Sequence, residues 1–281
     1  MKKNQWITAG GGIVLVIALF LFRDEIPPKK AIDNQQAAND DLSTEQVLEA
    51  ARSSLSPGQL SQLLLLENSL KRGDIQGQKI DIYHQLSHFW RDSVRAFVPF
   101  AWYTAEAARL ENSEKNLTFA AHLLLDSVRD ESDVRLRKWE ALQAKDLFER
   151  SLKINPNNDS SKVGLGSCYL FGGIAAMPME GIRLIREVVE KDSTNIYGQM
   201  MLGYGSLISG QYEKAVDRFE RVLSADKENM EALLMIVNIA DEYEKEGKKE
   251  NAAALYTKLL PLVKKEDWKV QLQQRIDELN K

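Results

Sequence analysis

Residues 202–223 read LGYGSLISGQYEKAVDRFERVL, and this stretch decides the fold. Two apolar-periodic segments meet at Gly210, a residue type that ends helices because it enters the left-handed region without strain. Ala215 is a small residue in the second segment, Phe219 follows one turn later, and Val222 and Leu223 complete an apolar helix face. The same order of small, large and apolar residues recurs at Ala144, Phe148 and Leu152, at Gly181, Ile185 and Val189, and at Ala252, Tyr256 and Leu260. The small residues lie 37, 34 and 37 positions apart. In the preceding helices Leu165-Gly166, Leu202-Gly203 and Ile239-Ala240 recur at a constant 37, and Gly247 repeats Gly210.

Two antiparallel helices approach closely only where one carries a side chain no larger than Ala. The bulky residue a turn later then plugs the groove between neighbouring pairs. One pair cannot bury its own apolar face, so successive pairs stack. These residues resemble the tetratricopeptide repeat, a 34-residue helix-turn-helix unit. The clearest copy runs from Leu202-Gly203 through Gly210-Gln-Tyr212, Ala215 and Phe219 to Val222-Leu223. Ala144-Lys-Asp-Leu-Phe148 followed by Ile154-Asn-Pro156 forms the second helix and exit turn of another. The resemblance spans about 117–260. It departs from the family through three-residue insertions, one around 172–178 and one before the last copy, and through a longer one near 129–138 that lengthens a helix.

The expected fold is therefore all-α: a solenoid of stacked helix pairs over 115–261, closed by a capping helix at 262–281. Trp268, Leu272, Ile276 and Leu279 form the apolar stripe of that cap. Upstream, 43–114 read as helical. Ser56-Pro57-Gly58-Gln59 is a capping box opening a helix through Leu70, with Gly73 ending it. Further helices are expected over 75–92 and 96–111, as degenerate repeats or as a helical cap.

The N-terminus carries a different signal. After a basic tail at 1–5, with Lys2 and Lys3, residues 6–22 hold no charge. Seventeen residues of helix reach about 25 Å, the short end of what spans a bilayer core of about 30 Å. Trp6 and Arg23 suit the two interfaces. A cleaved signal needs a small-x-small site, but Arg23-Asp24-Glu25-Ile26-Pro27-Pro28 follows instead. The reading is a transmembrane signal anchor, then a flexible linker at 23–42. A short basic head before the apolar run leaves the bulk of the chain outside the cytoplasm, in the periplasm of a bacterial inner-membrane protein; a cytoplasmic-facing domain is the alternative.

Little in the chain points to chemistry. A formal charge of −4, with 28% charged residues, lacks the concentrated basic footprint that nucleic-acid binding wants. The single cysteine, Cys168, forms no intramolecular disulfide. His84 and His88 are four apart on an expected helix, but Gln85 stands where a zinc protease needs its Glu. Gly164-Leu-Gly166-Ser-Cys168 completes neither a phosphate loop nor a nucleophile elbow, and Gly203-Tyr-Gly205-Ser repeats it one unit later. No catalytic residue, cofactor or metal site is expected.

The resemblance implies a concave groove lined by the first helix of each pair. It would present Val163, Ser167, Leu170 and Phe171 in one repeat, and Tyr197, Met200, Tyr204, Leu207 and Ile208 in the next. The last repeat would add Leu234, Val237 and Asp241, with Lys245 a turn beyond. Chaperone-binding members clamp a C-terminal carboxylate with a leading lysine, but Val163, Met200 or Val237 stands there. An apolar and aromatic groove suits a protein or peptide ligand, unless the chain's own N-terminal helices fill it. The expected role is a membrane-tethered scaffold in envelope assembly or secretion. A holdase-like chaperone is the alternative, and a metal-dependent hydrolase a more distant one. Self-association stays open.

Overall fold

A computed structural model of the chain describes residues 41–72, 75–174 and 178–281. Thirteen α-helices and no strand occur among the described residues: α1 Thr44–Arg52, α2 Pro57–Arg72, α3 Gln76–His88, α4 Phe97–Glu111, α5 Glu114–Val128, α6 Val134–Ile154, α7 Asp159–Phe171, α8 Met179–Lys191, α9 Ile196–Ile208, α10 Tyr212–Ala225, α11 Met230–Lys245, α12 Lys249–Leu259 and α13 Glu266–Leu279. A π turn, Phe89–Val94, extends α3. None of these helices is long and apolar enough to cross a membrane. The apolar run at 6–22, expected as an anchor, lies outside the described residues, as does Gly73.

Each helix packs mainly on the next, so α5–α6, α7–α8, α9–α10 and α11–α12 form antiparallel pairs stacked in chain order. The joints between pairs are set by a local rule. Asn155, Asp192 and Asp226 each accept from the backbone N–H two residues on, at 2.9–3.0 Å. Three residues after each stands an asparagine, Asn158, Asn195 or Asn229, which caps the next first helix by accepting from its third N–H at 2.8–3.0 Å. Within the later pairs, Gly210 and Gly247 turn the chain at φ +69° and +76°.

The close approach expected at small residues is present. A Cβ on Gly166 would stand 2.7 Å from the Gly181 carbonyl oxygen, so α7 and α8 touch backbone to backbone. The large residues act in two ways. The Phe148 ring covers Gly164 of the following pair, whereas Phe219 covers Gly203 of its own. Both rings are fully buried.

The insertions follow from the same joints. The first falls in the α7–α8 turn, part of which lies outside the described residues. The second is inside the last copy: α11 has 16 residues where α9 has 13. The joint spacing therefore stays at 34 there and the hairpin register moves to 37. The third lengthens α6 to 21 residues.

The core runs as three continuous stretches, from α2–α4 around Leu63, Leu86 and Trp90, through α4–α7, to α7–α13. At the far end α13 buries Ile276, with Trp268, Leu272 and Leu279 half-buried against the last pair.

Candidate functional site

The residues expected to line one groove meet four different fates. Val163, Ser167 and Met200 are buried in the core, and the Ser167 hydroxyl donates to the Val163 carbonyl at 2.9 Å. Leu170, Phe171 and Leu207 are half-buried against it. Tyr197 and Tyr204 are also half-buried, and other parts of the chain cover them. The His122 ring of α5 stands edge-on to Tyr197 at 5.4 Å, and its Nε2 lies 2.8 Å from the Ser160 hydroxyl. Burial pulls the His122 pKa down and pushes the Tyr197 hydroxyl up.

Tyr204 is clasped. The Arg129 guanidinium, in the turn after α5, sits 4.3 Å from the Tyr204 ring centroid, and the ring edge meets Phe219 at 5.7 Å. The Tyr204 hydroxyl donates to Glu231 at the start of α11, and Arg129 pairs with that carboxylate at 3.4 Å. Burial and Glu231 push the Tyr204 pKa up to about 12. One arginine thus reaches from the end of α5 to α9 and α11. The cover comes from α5 and the turn after it, within the stacked pairs themselves, and not from the helices over 43–114.

The remaining residues border open space, with Val237 half-buried. Ile208 is 72% exposed at the end of α9. Leu234, Val237 and Asp241 of α11 line a slot of about 280 Å³ whose opposite wall is α13, with Trp268, Gln271, Leu272 and Arg275. Leu234 is 40% exposed. The polar end of the slot is already neutralised internally. Arg275 Nε meets Glu244 at 3.0 Å and its terminal nitrogen lies 3.8 Å from Asp241, which accepts from the Tyr256 hydroxyl. An apolar slot with a satisfied polar rim is shaped to take large side chains and exclude water from them.

Sequence reasoning missed both features. The wall formed by α13 was legible as a stripe, but a cap and a groove wall carry the same pattern. Arg129 and His122 had no signal, because spacing within a repeat says nothing about side chains arriving from an earlier one.

The other residues singled out in the sequence sit apart from this region. His84 Nε2 lies 2.8 Å from Glu111, while His88 meets Arg91 and Asp92. Among the described residues no group of three or more His, Cys, Asp or Glu is placed to hold a metal. Cys168 is fully buried, and burial pushes its thiol up, away from the reactive thiolate.

Stacked antiparallel pairs with small-residue contacts define an α-solenoid. Residues 235–261, from within α11 through α12, match the tetratricopeptide repeat. The chain carries that repeat, as its sequence resemblance implies. No curated protein sequence matches it significantly. Solved structures with which it shares similarity include MamA from Desulfovibrio magneticus RS-1, at 18% identity over 68% of this chain and 96% of that one, with a TM-score of 0.43. YrrB, described as a tetratricopeptide-repeat protein with an unusual peptide-binding site, is 16% identical over 74% of this chain and 97% of that one, with a TM-score of 0.42. A tetratricopeptide-repeat protein from Parabacteroides merdae is 15% identical, covering 84% of this chain and 88% of that one, with a TM-score of 0.46.

Proposed function

We propose that this chain is a docking scaffold that holds an apolar segment of a protein partner in the slot between α11 and α13. The carrying observation is the contrast along the inner face: Tyr197 and Tyr204 are covered by His122 and Arg129, whereas Leu234 and Val237 face Trp268 and Leu272 across open space. An amphipathic helix or an extended segment with two or three large side chains fits such a slot, and its affinity would come from desolvating Trp268 and Leu234. In this reading residues 6–22 tether the scaffold to a membrane and 23–42 form its flexible lead, with the solenoid on the extracytoplasmic side. The partner then belongs to envelope assembly or secretion.

Photo-crosslinking in cells tests this, with the probe at Leu234 and controls at Tyr204 and at Glu190 on α8. The expected result is one discrete protein adduct at Leu234 and none at the controls. An adduct at Tyr204 but not Leu234 overturns the choice of slot. A ladder of many products at Leu234 indicates a holdase instead.

A further inference from the structure

The second helices carry a concavity of their own. Among the first helices, α7 touches both α5 and α9, whereas no comparable contact joins α8 to α10. Packing that is close on the inner side opens a wedge on the outer side. Between α8 and α10 this wedge is a cleft of about 460 Å³. Leu170, Ile182 and Leu202 give it an apolar surface, and Met179 stands at its rim, 60% exposed.

Arg186, Lys214 and Arg218 also line this cleft, together with Glu213 and Asp217. The neighbouring Arg183 and Arg221 hold the carboxylates Glu180 and Asp217 at 2.8 and 3.0 Å. Arg186 and Arg218 hold none among the described residues. Arg218 instead donates to the Gln199 side-chain oxygen at 3.0 Å, and that buried amide is itself fixed by donating to the Ser193 carbonyl at 2.8 Å. Burial, with the nearby charges of Arg221 and Arg186, pulls the Arg218 pKa down. The carboxylates beside the cleft are engaged elsewhere: Glu213 accepts from Tyr243 at 3.0 Å, and Asp217 pairs with Arg221. Two guanidiniums side by side against apolar surface repel each other, and a carboxylate entering between them relieves that repulsion through charge-assisted hydrogen bonds.

The equivalent cleft one repeat on, between α10 and α12, has the opposite character. Glu213 and Asp217 border both clefts, but here Glu220 and Glu250 join them and the lining cation, Lys258, is held by Glu220 at 2.7 Å. An acidic segment is repelled there and attracted one repeat earlier, so charge alone selects between two similar shapes.

We propose that the α8–α10 cleft docks a second protein through a segment in which an Asp or Glu stands within two positions of a large aliphatic side chain. The carboxylate sits between Arg186 and Arg218, and the aliphatic group rests on Leu170, Ile182 and Leu202. Its arginines stand on the second helices α8 and α10, and it is separate from the α11–α13 slot.

A selection from a random peptide display library against the immobilised full chain tests it. The wild type is compared with an R186Q/R218Q variant, both checked for helical content by circular dichroism. Sequences pairing Asp or Glu with Leu, Ile or Val are expected to be enriched at least tenfold on the wild type over the variant. A second variant, M179E, keeps both arginines but offers them a carboxylate at the rim, and is expected to lose the same sequences. The proposal is overturned by enrichment that is equal on wild type and variants, by a neutral or basic consensus, or by no enrichment. It is also overturned if about 50 mM inorganic phosphate removes the acidic consensus while sodium chloride of equal ionic strength does not, which marks a simple anion site.

Discussion

Two halves of one inner face, built from the same repeat, have opposite availability. In the first half α5 supplies His122 and its following turn supplies Arg129, and together they cover Tyr197 and Tyr204. In the second half α11 faces α13 without closing on it, and a slot remains. The repeat sets where side chains point, and the neighbours beyond it decide whether they are free to bind. A groove in a solenoid is therefore a property of its ends as much as of its units.

The largest expected effect separates the halves by stability. Phe219→Ala removes a fully buried ring that supports both Gly203 and Tyr204, and should cost about 3–5 kcal/mol. Trp268→Ala, at a half-buried position on the cap, should cost roughly half as much, about 2 kcal/mol. Urea denaturation of both variants measures the difference, and equal losses would mean that α13 is as firmly packed as the central pairs.

A pH dependence should come from the closed half. Burial pushes the Glu140 carboxyl of α6 up to about 7, and one of its oxygens has no partner. A carboxyl that holds its proton more tightly when folded contributes stability at low pH, and this is lost as pH rises from about 4.5 through about 7. Glu140→Gln should therefore stabilise the chain by about 2–3 kcal/mol at pH 8 and leave it nearly unchanged at pH 4. Thermal melts at the two pH values read this out, and a gain that is equal at both would sink the assignment.

Breaking the clasp directly is a smaller change in energy with a larger change in access. Arg129→Ala loses one stacked cation and one partly exposed ion pair, together about 1–2 kcal/mol. A photo-crosslinker at Tyr204 should then give an intermolecular adduct that the wild type does not. The smallest effect is expected at Arg275→Gln, whose ion pairs with Glu244 and Asp241 are half exposed, at about 0–1 kcal/mol. A double-mutant cycle with Glu244→Gln isolates that coupling.

The helix pairs were readable because close packing leaves a local trace: Ala215 four residues before Phe219, and Gly210 at the turn ahead of both. The joints left one too, in Asn155, Asp192 and Asp226 each followed three residues later by Asn, a pattern the small-residue register passed over. It fixes the last three-residue insertion within α11, where counting between small residues put it ahead of the repeat. The clasp left no trace, since Arg129 and Glu231 are 102 residues apart and meet only once three pairs have stacked. Of the expected groove residues, Leu234, Val237 and Asp241 line the open slot, and Val163 and Ser167 serve the core instead.

A solenoid is also a spring, and the arginine that bridges α5, α9 and α11 stiffens part of it. Extension there must break the Arg129 contacts before the pairs can splay, whereas α13 is held by one buried isoleucine, a half-buried flank and the half-exposed ion pairs of Arg275. Under tension applied between its two ends the molecule should therefore yield first at its C-terminal coil. A load on the chain would open the slot beside Trp268 while the clasped segment keeps its pitch.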